Sequence, residues 1–315
     1  MGDQLSEVLD LVEIRGLVSG GFAAHGRWVA RSPCHDAMKL IAMVAGRGRL
    51  LTDGLDESVE LSAGDVAILI NRTWLEYEGG PPGDGPRRRI SPEENFTGLT
   101  EADRTTDDVV LGTAVDVNSA GHELLLRTLP PVGVVKASSA TPLRALIDQV
   151  FDEVAGSRTG SAFAIRQYGQ LLVLAVLRAY LDQDAAPPGW LRVLTDERLG
   201  PALARMHAEP AEPWGLEDLA QAAAMSRSAF ARRFRAVAGV PPVTYLSRYR
   251  MLLAQRALMH DDTSVGALAA DMGYASEAAF STAFKREIGE SPLHYRHRVR
   301  NKRLGRRGPR SALPR

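Results

Sequence analysis

Phe230-Ala231-Arg232-Arg233-Phe234, followed by Gly239, Pro242 and Tyr245, has a counterpart fifty positions later in Phe280-Ser281-Thr282-Ala283-Phe284, Gly289, Pro292 and Tyr295, in which the two phenylalanines, the glycine, the proline and the tyrosine recur. An alanine-rich stretch precedes each copy: Leu216 to Ala224 in the first, Val265 to Gly273 in the second. Small side chains there let a short helix lie close against the next one, and Ala224-Met225 and Gly273-Tyr274 supply the tight connections. The duplication predicts two helix-turn-helix units of the same construction.

Helical geometry sorts each second helix into an inner and an outer face. At about 100° per residue, Phe230, Phe234 and Val237 share the core side, which turns Ser228, Ala231, Arg232 and Arg235 away from it. In the second unit Phe280, Phe284 and Ile288 point inward, leaving Ala278, Ser281, Thr282 and Lys285 outward. These outward sets, with Arg227 beside the first, are the candidates for contact with double-stranded DNA. Arg232 carries the planar fork suited to guanine O6 and N7. Arg233, Arg235 and Lys285 read as phosphate contacts, which give affinity without sequence information. Ala231 and Ala278 can meet a thymine methyl. Glu277 is open to two readings, a carboxylate favoured by the helix dipole or a cytosine reader. Residues 243–259 read as one helix of about 17 residues, roughly 25 Å long, which sets both outward faces toward successive major-groove segments about 34 Å apart.

The charge distribution supports a polyanion partner at this end of the chain. The 315 residues hold 38 Lys+Arg and 38 Asp+Glu, yet residues 226–315 hold 18 of the former and 6 of the latter. A basic carboxy-terminal segment therefore follows an acidic remainder. A single cysteine, Cys34, excludes internal disulfides. The first residues lack the pattern of a secretion signal, and no apolar run approaches the roughly 20 residues a bilayer requires, so a cytoplasmic protein without membrane attachment is expected.

Upstream the periodicity changes. Residues 5–14 fit a short amphipathic helix with Leu5, Val8, Leu9 and Val12 on one face. From Gly21 to Leu126, apolar runs at 40–44, 66–70, 109–115 and 124–126 alternate with turn residues, which predicts a barrel or sandwich. Gly46-Arg47-Gly48 and Asp53-Gly54 read as hairpin turns. Gly79 to Pro92, rich in proline and glycine and bearing three successive arginines, reads as a surface loop. Helical spacing returns at 142–155 and 162–181. The second of these is apolar nearly all round, so it is covered either by its own barrel or by a second subunit through Leu171, Leu174 and Leu177. Residues 186–194, with Pro187-Pro188, read as a linker, and 301–315 as a basic disordered tail.

Residues 199–300 resemble the carboxy-terminal DNA-binding domain of the AraC/XylS family of transcription regulators. The likeness rests on Met225 to Phe234, Met272-Gly273-Tyr274, Ala279 to Arg286 and Gly289 to Arg296. It implies base reading by Ser228, Ala231 and Arg232 in the first unit and by Glu277, Ala278 and Thr282 in the second. Family members often carry arginine where this chain has Thr282, so the second helix departs from the family pattern. Residues 1–185 resemble the cupin-type sensory domain that precedes such DNA-binding domains, on Gly48-Arg49-Leu50, Leu61 to Val66, Val110-Leu111-Gly112 and Leu129-Pro130-Pro131.

The two resemblances together imply an α+β multidomain protein: a cupin-like β-barrel with a two-helix dimerisation segment, then an all-α domain over 195–300 with two helix-turn-helix units. They imply a regulator, not an enzyme, that works as a homodimer at promoter DNA alongside RNA polymerase and answers a small-molecule effector. Metal-binding cupins supply clustered histidines; here Lys39 and the Asn71-Arg72-Thr73-Trp74 segment stand in their stead, so neither metal nor cofactor is expected. Trp28, Met38, Leu40, Trp74 and Tyr77 are the candidates to line an effector cavity, with simple filling of the barrel as the alternative. The rival readings are a metal-dependent cupin enzyme tethered to DNA, a nonspecific architectural DNA binder, and a redox-responsive regulator acting through Cys34.

Overall fold

A computed structural model describes residues 3–92, 96, 98–118, 121–122, 129–137, 141–156, 158–183 and 187–306, of which 141 and 302–306 by backbone alone. The chain divides into two compact units, residues 13–187 and residues 1–12 together with those from 188 onward.

The first unit holds two five-stranded sheets. One has the order β1 (Arg15–Ala24), β9 (Asp108–Asp116), β3 (Met38–Ala45), β6 (Val66–Ile70), β10 (Val132–Val135). The other has the order β5 (Val59–Ser62), β4 (Arg47–Thr52), β7 (Trp74–Gly79), β2 (Trp28–Pro33), β8 (Arg88–Ile90). Pairing is antiparallel except for β2 with β8. All five residues of β6 are buried, as a run of Val, Ala, Ile and Leu flanked by strands requires. Phe22, Trp28, Ile41, Met43, Leu69, Leu75 and Tyr77 form the core that the two sheets share. Phe22 and Trp28 meet edge to face at 5.1 Å.

Several expectations are corrected here. Gly46-Arg47-Gly48 is not a hairpin turn, because β3 and β4 lie in different sheets; the chain crosses from one to the other there. Asp108 ties that corner, accepting from the Arg47 backbone N–H at 3.0 Å and from Trp28 Nε1 at 2.7 Å. The surface loop after β7 contains β8, whose Arg88, Arg89 and Ile90 pair with Trp28, Val29 and Ala30. The expected strand at 124–126 lies outside the described residues.

Helices α2 (Thr141–Ala155) and α3 (Ser161–Leu181) complete this unit. Leu172, Val173, Val176 and Leu177 of α3 are at most 1% exposed, and the helix packs on α2, β1 and β10. The all-round apolar pattern is thus largely answered within the unit. Leu177 is core and lies on no surface, Leu174 is half-buried, and Leu171 is 49% exposed. Contact between α3 and β1 needs glycine on both sides: a Cβ on Gly16 would stand 2.2 Å from the Gly169 carbonyl oxygen.

The second unit is helical. Helix α1 (Gln4–Leu11), capped by Asp3, belongs to it and not to the barrel. The other helices are α4 (Trp190–Val193), α5 (Gly200–Ala208), α6 (Leu216–Ala222), α7 (Arg227–Ala238), α8 (Pro242–His260), α9 (Val265–Asp271), α10 (Glu277–Ile288) and α11 (Pro292–Arg306). Residues 186–194 are therefore not all linker: Trp190 is 5% exposed and stacks on Tyr245 at 5.1 Å. The expected tail begins inside α11, which continues to Arg306; residues 307–315 lie outside the described residues. Ser226, Ser264 and Ser276 cap α7, α9 and α10 by accepting from the backbone N–H three residues on. Helix α8 has 19 residues and so spans about 28 Å.

Replacing Gly16 with alanine should destabilise the first unit by about 1–3 kcal/mol, because the opposing atom is backbone and has little room to withdraw. Gly200→Ala, whose Cβ meets nothing within 4 Å, serves as the control. Urea denaturation of both variants checks this; equal midpoints would mean that the sheet and helix yield more easily than their packing suggests.

Candidate functional site

The two helix-turn-helix units are α6–α7 and α9–α10, and their cores superpose in kind. Phe230 and Phe234 lie 5.6 Å apart at 54°, Phe280 and Phe284 5.8 Å apart at 50°. Phe234 meets Tyr245 at 5.5 Å and 75°, Phe284 meets Tyr295 at 5.6 Å and 76°. All six rings are fully buried. The connecting turns differ by one residue: three separate α6 from its partner's cap Ser226, four separate α9 from Ser276. Both turns pass through a left-handed residue, Ala224 at φ +50° and Gly273 at φ +73°. Gly273 is needed twice over, since a Cβ there would lie 2.1 Å from the carbonyl oxygen of Ala211.

On the outer face of α7, Arg227, Ser228, Arg232 and Arg235 are exposed and Ala231 is half-buried. Arg233 is different. Its guanidinium donates through Nε and Nη2 to both carboxylate oxygens of Asp196, at 3.2 and 2.8 Å. That bidentate pair fixes α7 to the segment before α5, so Arg233 is tied up within the protein and the expectation of a phosphate contact does not hold for it.

On α10, Glu277, Ala278, Thr282 and Lys285 are exposed and Ser281 is half-buried. The Thr282 hydroxyl donates to the Ala278 carbonyl at 2.9 Å, so its proton is committed inside the helix. Glu277 occupies the first turn with its carboxylate against Gly266, in keeping with the dipole reading. Ala278, Thr282 and Arg286 line an open cleft of about 600 Å³ with Val243, Ser247 and Arg250 of α8.

Arg250, which carried no signal in the sequence, sets the spacing of the two units. Its Nε donates to the carbonyl of Pro210 at 2.6 Å and its Nη2 to that of Glu212 at 2.9 Å. The linker helix is thereby bound to the loop whose Ala211 presses on Gly273.

His207 is a second residue that sequence reasoning missed. It is 8% exposed, stacks on Tyr249 at 4.0 Å, and pairs with the Tyr245 hydroxyl at 2.8 Å through Nε2 and with the Glu7 carboxylate at 3.3 Å through Nδ1. One neutral tautomer satisfies both: Nδ1–H donates to Glu7 and Nε2 accepts from Tyr245. Burial holds the imidazole down to about 4.

In the first unit, a cavity of about 200 Å³ opens between the sheets. Of the five residues expected to line it, Tyr77 does. Met38 and Leu40 do not, because strand alternation puts them on the face of β3 opposite to Lys39 and Ile41, which do. Trp28 is fully buried, with its indole N–H donating to Asp108. Trp74 is half-buried under the Arg31 guanidinium, 4.6 Å from its ring centroid. The period-2 alternation of β3 was the signal that could have found Lys39 and Ile41. Cys34 is 3% exposed, and burial pushes its thiol up, which makes it a core side chain and a poor nucleophile. Among the described residues no group of three or more His, Cys, Asp or Glu is placed to hold a metal ion, and no helix is long and apolar enough to cross a membrane.

A cupin family model matches residues 3–182 and a helix-turn-helix domain model residues 219–298, which defines a DNA-binding transcription regulator with a cupin-like domain ahead of its DNA-binding domain. A putative AraC-like transcription regulator of Streptomyces lividans is 33% identical over 300 residues, 93% of this chain and 98% of that one. The HTH-type transcriptional regulator MtrA of Neisseria gonorrhoeae is 26% identical over 299 residues, 93% and 98% of the two chains. The crystallised DNA-binding domain of AdpA, in complex with a target DNA, is 37% identical over 35% of this chain and 98% of that one, with a TM-score of 0.33. The chain belongs to the family of AraC-like transcription regulators.

The buried imidazole makes stability depend on pH. Since the folded pKa lies below the ordinary 6.5, the unfolded chain takes up a proton that the fold refuses, and stability is lost as pH falls from about 6.5 toward about 4. Between pH 7 and pH 5 this group alone should cost about 2 kcal/mol. Urea titrations at the two pH values, on the protein and on His207→Gln, measure it; the same pH slope in both would assign the effect elsewhere.

Proposed function

We propose that this protein is a sequence-specific regulator that grips promoter DNA with both helix-turn-helix units as a homodimer, responds to a small-molecule effector held in the cupin-like domain, and acts on transcription alongside RNA polymerase. It is read as a regulator without enzymatic activity. The observation that carries the reading is the pairing of two near-identical aromatic cores with outer faces rich in exposed polar side chains. The side chains of Arg227, Arg232 and Arg235 on α7 and of Lys285 on α10 are exposed and have no hydrogen-bond or ion-pair partner among the described residues, which leaves their charges available to DNA. Arg232 is assigned to guanine, Ser228 and Ala231 to neighbouring base edges, and Arg227, Arg235 and Lys285 to phosphate. Glu277, Ala278, Ser281 and Thr282 make the smaller second surface. Effector occupancy shifts the fraction of molecules competent to hold their site.

Binding selection from random duplexes with the full chain should enrich a site with two preferred blocks about one helical turn apart, favoured over random DNA by a factor of roughly 10³ or more. Arg232→Ala should cost about 1–3 kcal/mol on that site and relax preference at one base pair, whereas Arg235→Ala should weaken all sequences alike and lower the salt slope by about 1. A steep salt slope with no preferred sequence would instead make the protein an architectural DNA binder.

The dimer is assigned to the exposed side of α3, on which Phe163 is 63% and Leu171 49% exposed, with Leu17 of β1 54% exposed. Leu171→Asp should convert dimers to monomers in sedimentation without loss of helix content. An unchanged dimer, or a monomeric parent protein, would remove α3 from this role.

A further inference from the structure

Lys39 is the observation that the DNA-binding role leaves unused. It faces the same side of β3 as Ile41 and Met43, which belong to the core between the sheets. Its side chain is only 18% exposed. An ammonium in an apolar register is costly unless something uses it. Asp36, at 3.2 Å, neutralises the charge and occupies one of its three N–H donors. Tyr77, 2% exposed, lines the same cavity, and its hydroxyl has no hydrogen-bond partner among the described residues. Lys39 of β3 and Tyr77 of β7 line this one cavity from its two sheets. Phe22, Ile41, Leu75 and Val110 supply the apolar part of the wall, and Ser19 and Ser32 also line it.

The charge balance decides the chemistry of the occupant. Lys39 and Asp36 already cancel, so an ionic ligand of either sign would add an uncompensated charge to a confined, partly apolar space, and a cationic one would also meet the Lys39 ammonium. A neutral molecule with one acceptor oxygen satisfies both the ammonium N–H and the phenol O–H. At about 200 Å³ the cavity lies below the range of drug-sized ligands, which limits the occupant to roughly ten non-hydrogen atoms. We propose that this cavity is a binding site for small, uncharged carbonyl compounds with an apolar body, their oxygen accepting from Lys39 and Tyr77. The inference rests on the effector-controlled reading above and names the chemical class of that effector.

Four probes of nearly equal shape separate the possibilities: acetophenone, benzoate, ethylbenzene and 1-phenylethylamine, titrated into the full-length protein by calorimetry with thermal shift in parallel. Acetophenone should bind at least tenfold more tightly than each of the others. Tyr77→Phe and Lys39→Met keep side-chain volume close to the original, and each should reduce that preference severalfold while leaving ethylbenzene binding unchanged. Tighter binding of benzoate that depends on Lys39 would overturn the neutral class in favour of a carboxylate site. Failure of all four probes to bind would overturn the site. Operator binding by the same preparation keeps the two readings apart: protein that holds its DNA but ignores every probe loses only the carbonyl inference.

Discussion

Reading DNA with two short helices depends on the angle and distance between them, and one guanidinium holds both. Arg250 of the linker helix binds the backbone carbonyls of Pro210 and Glu212, while the carbonyl between them abuts Gly273 in the turn of the second unit. The loop ahead of the first unit, the linker and the second turn are thus one packed joint. Backbone carbonyls in a joint of this kind have few other partners, so a half-buried cation that satisfies several at once gives rigidity that a single apolar contact would not. Arg296 and Arg300 do similar service at the far end of the linker, donating to the carbonyls of Thr263 and of Leu258 and Asp261.

The matched frames carry unequal surfaces. The first recognition helix offers three exposed arginines whose side chains are not spent internally among the described residues; the second offers small side chains, a hydroxyl already committed, and the exposed Lys285 and Arg286. Under the proposed assignment of contacts, affinity and sequence discrimination would fall mainly to α7, with α10 adding a second, smaller surface. Two linked readers of unequal strength still bind as one unit, because the first to engage raises the effective concentration of the second.

Much of this was legible in the sequence, and the reason is periodicity. Two aromatic cores at a fixed offset specify two identical modules, and the 3.6-residue repeat sorts inner from outer positions without knowledge of neighbours. What escaped is what depends on partners distant in the chain. Arg233 sits next to Arg232 in the chain and carries the same guanidinium, and the placement of Asp196 distinguishes the structural one from the free one. Helix α3 looked apolar all round because strands at both edges of a sheet cover it, which no local pattern encodes. Met38 and Leu40, expected to line the cavity, belong to the other face of β3, as the alternation of that strand, readable in principle, assigns. Gly46 resembled a hairpin turn because sheet-crossing corners and hairpins use the same residues.

Glu7 and His207 stand 200 residues apart, yet they complete one helical unit. A chain made from its amino terminus at about 5–20 residues per second must carry α1 for roughly 10–40 seconds before its docking surface leaves the ribosome. Meanwhile the whole of the barrel has emerged and can fold. The helical unit thus cannot close until residues near 207 have been made, and its first helix waits for partners encoded some two hundred residues downstream.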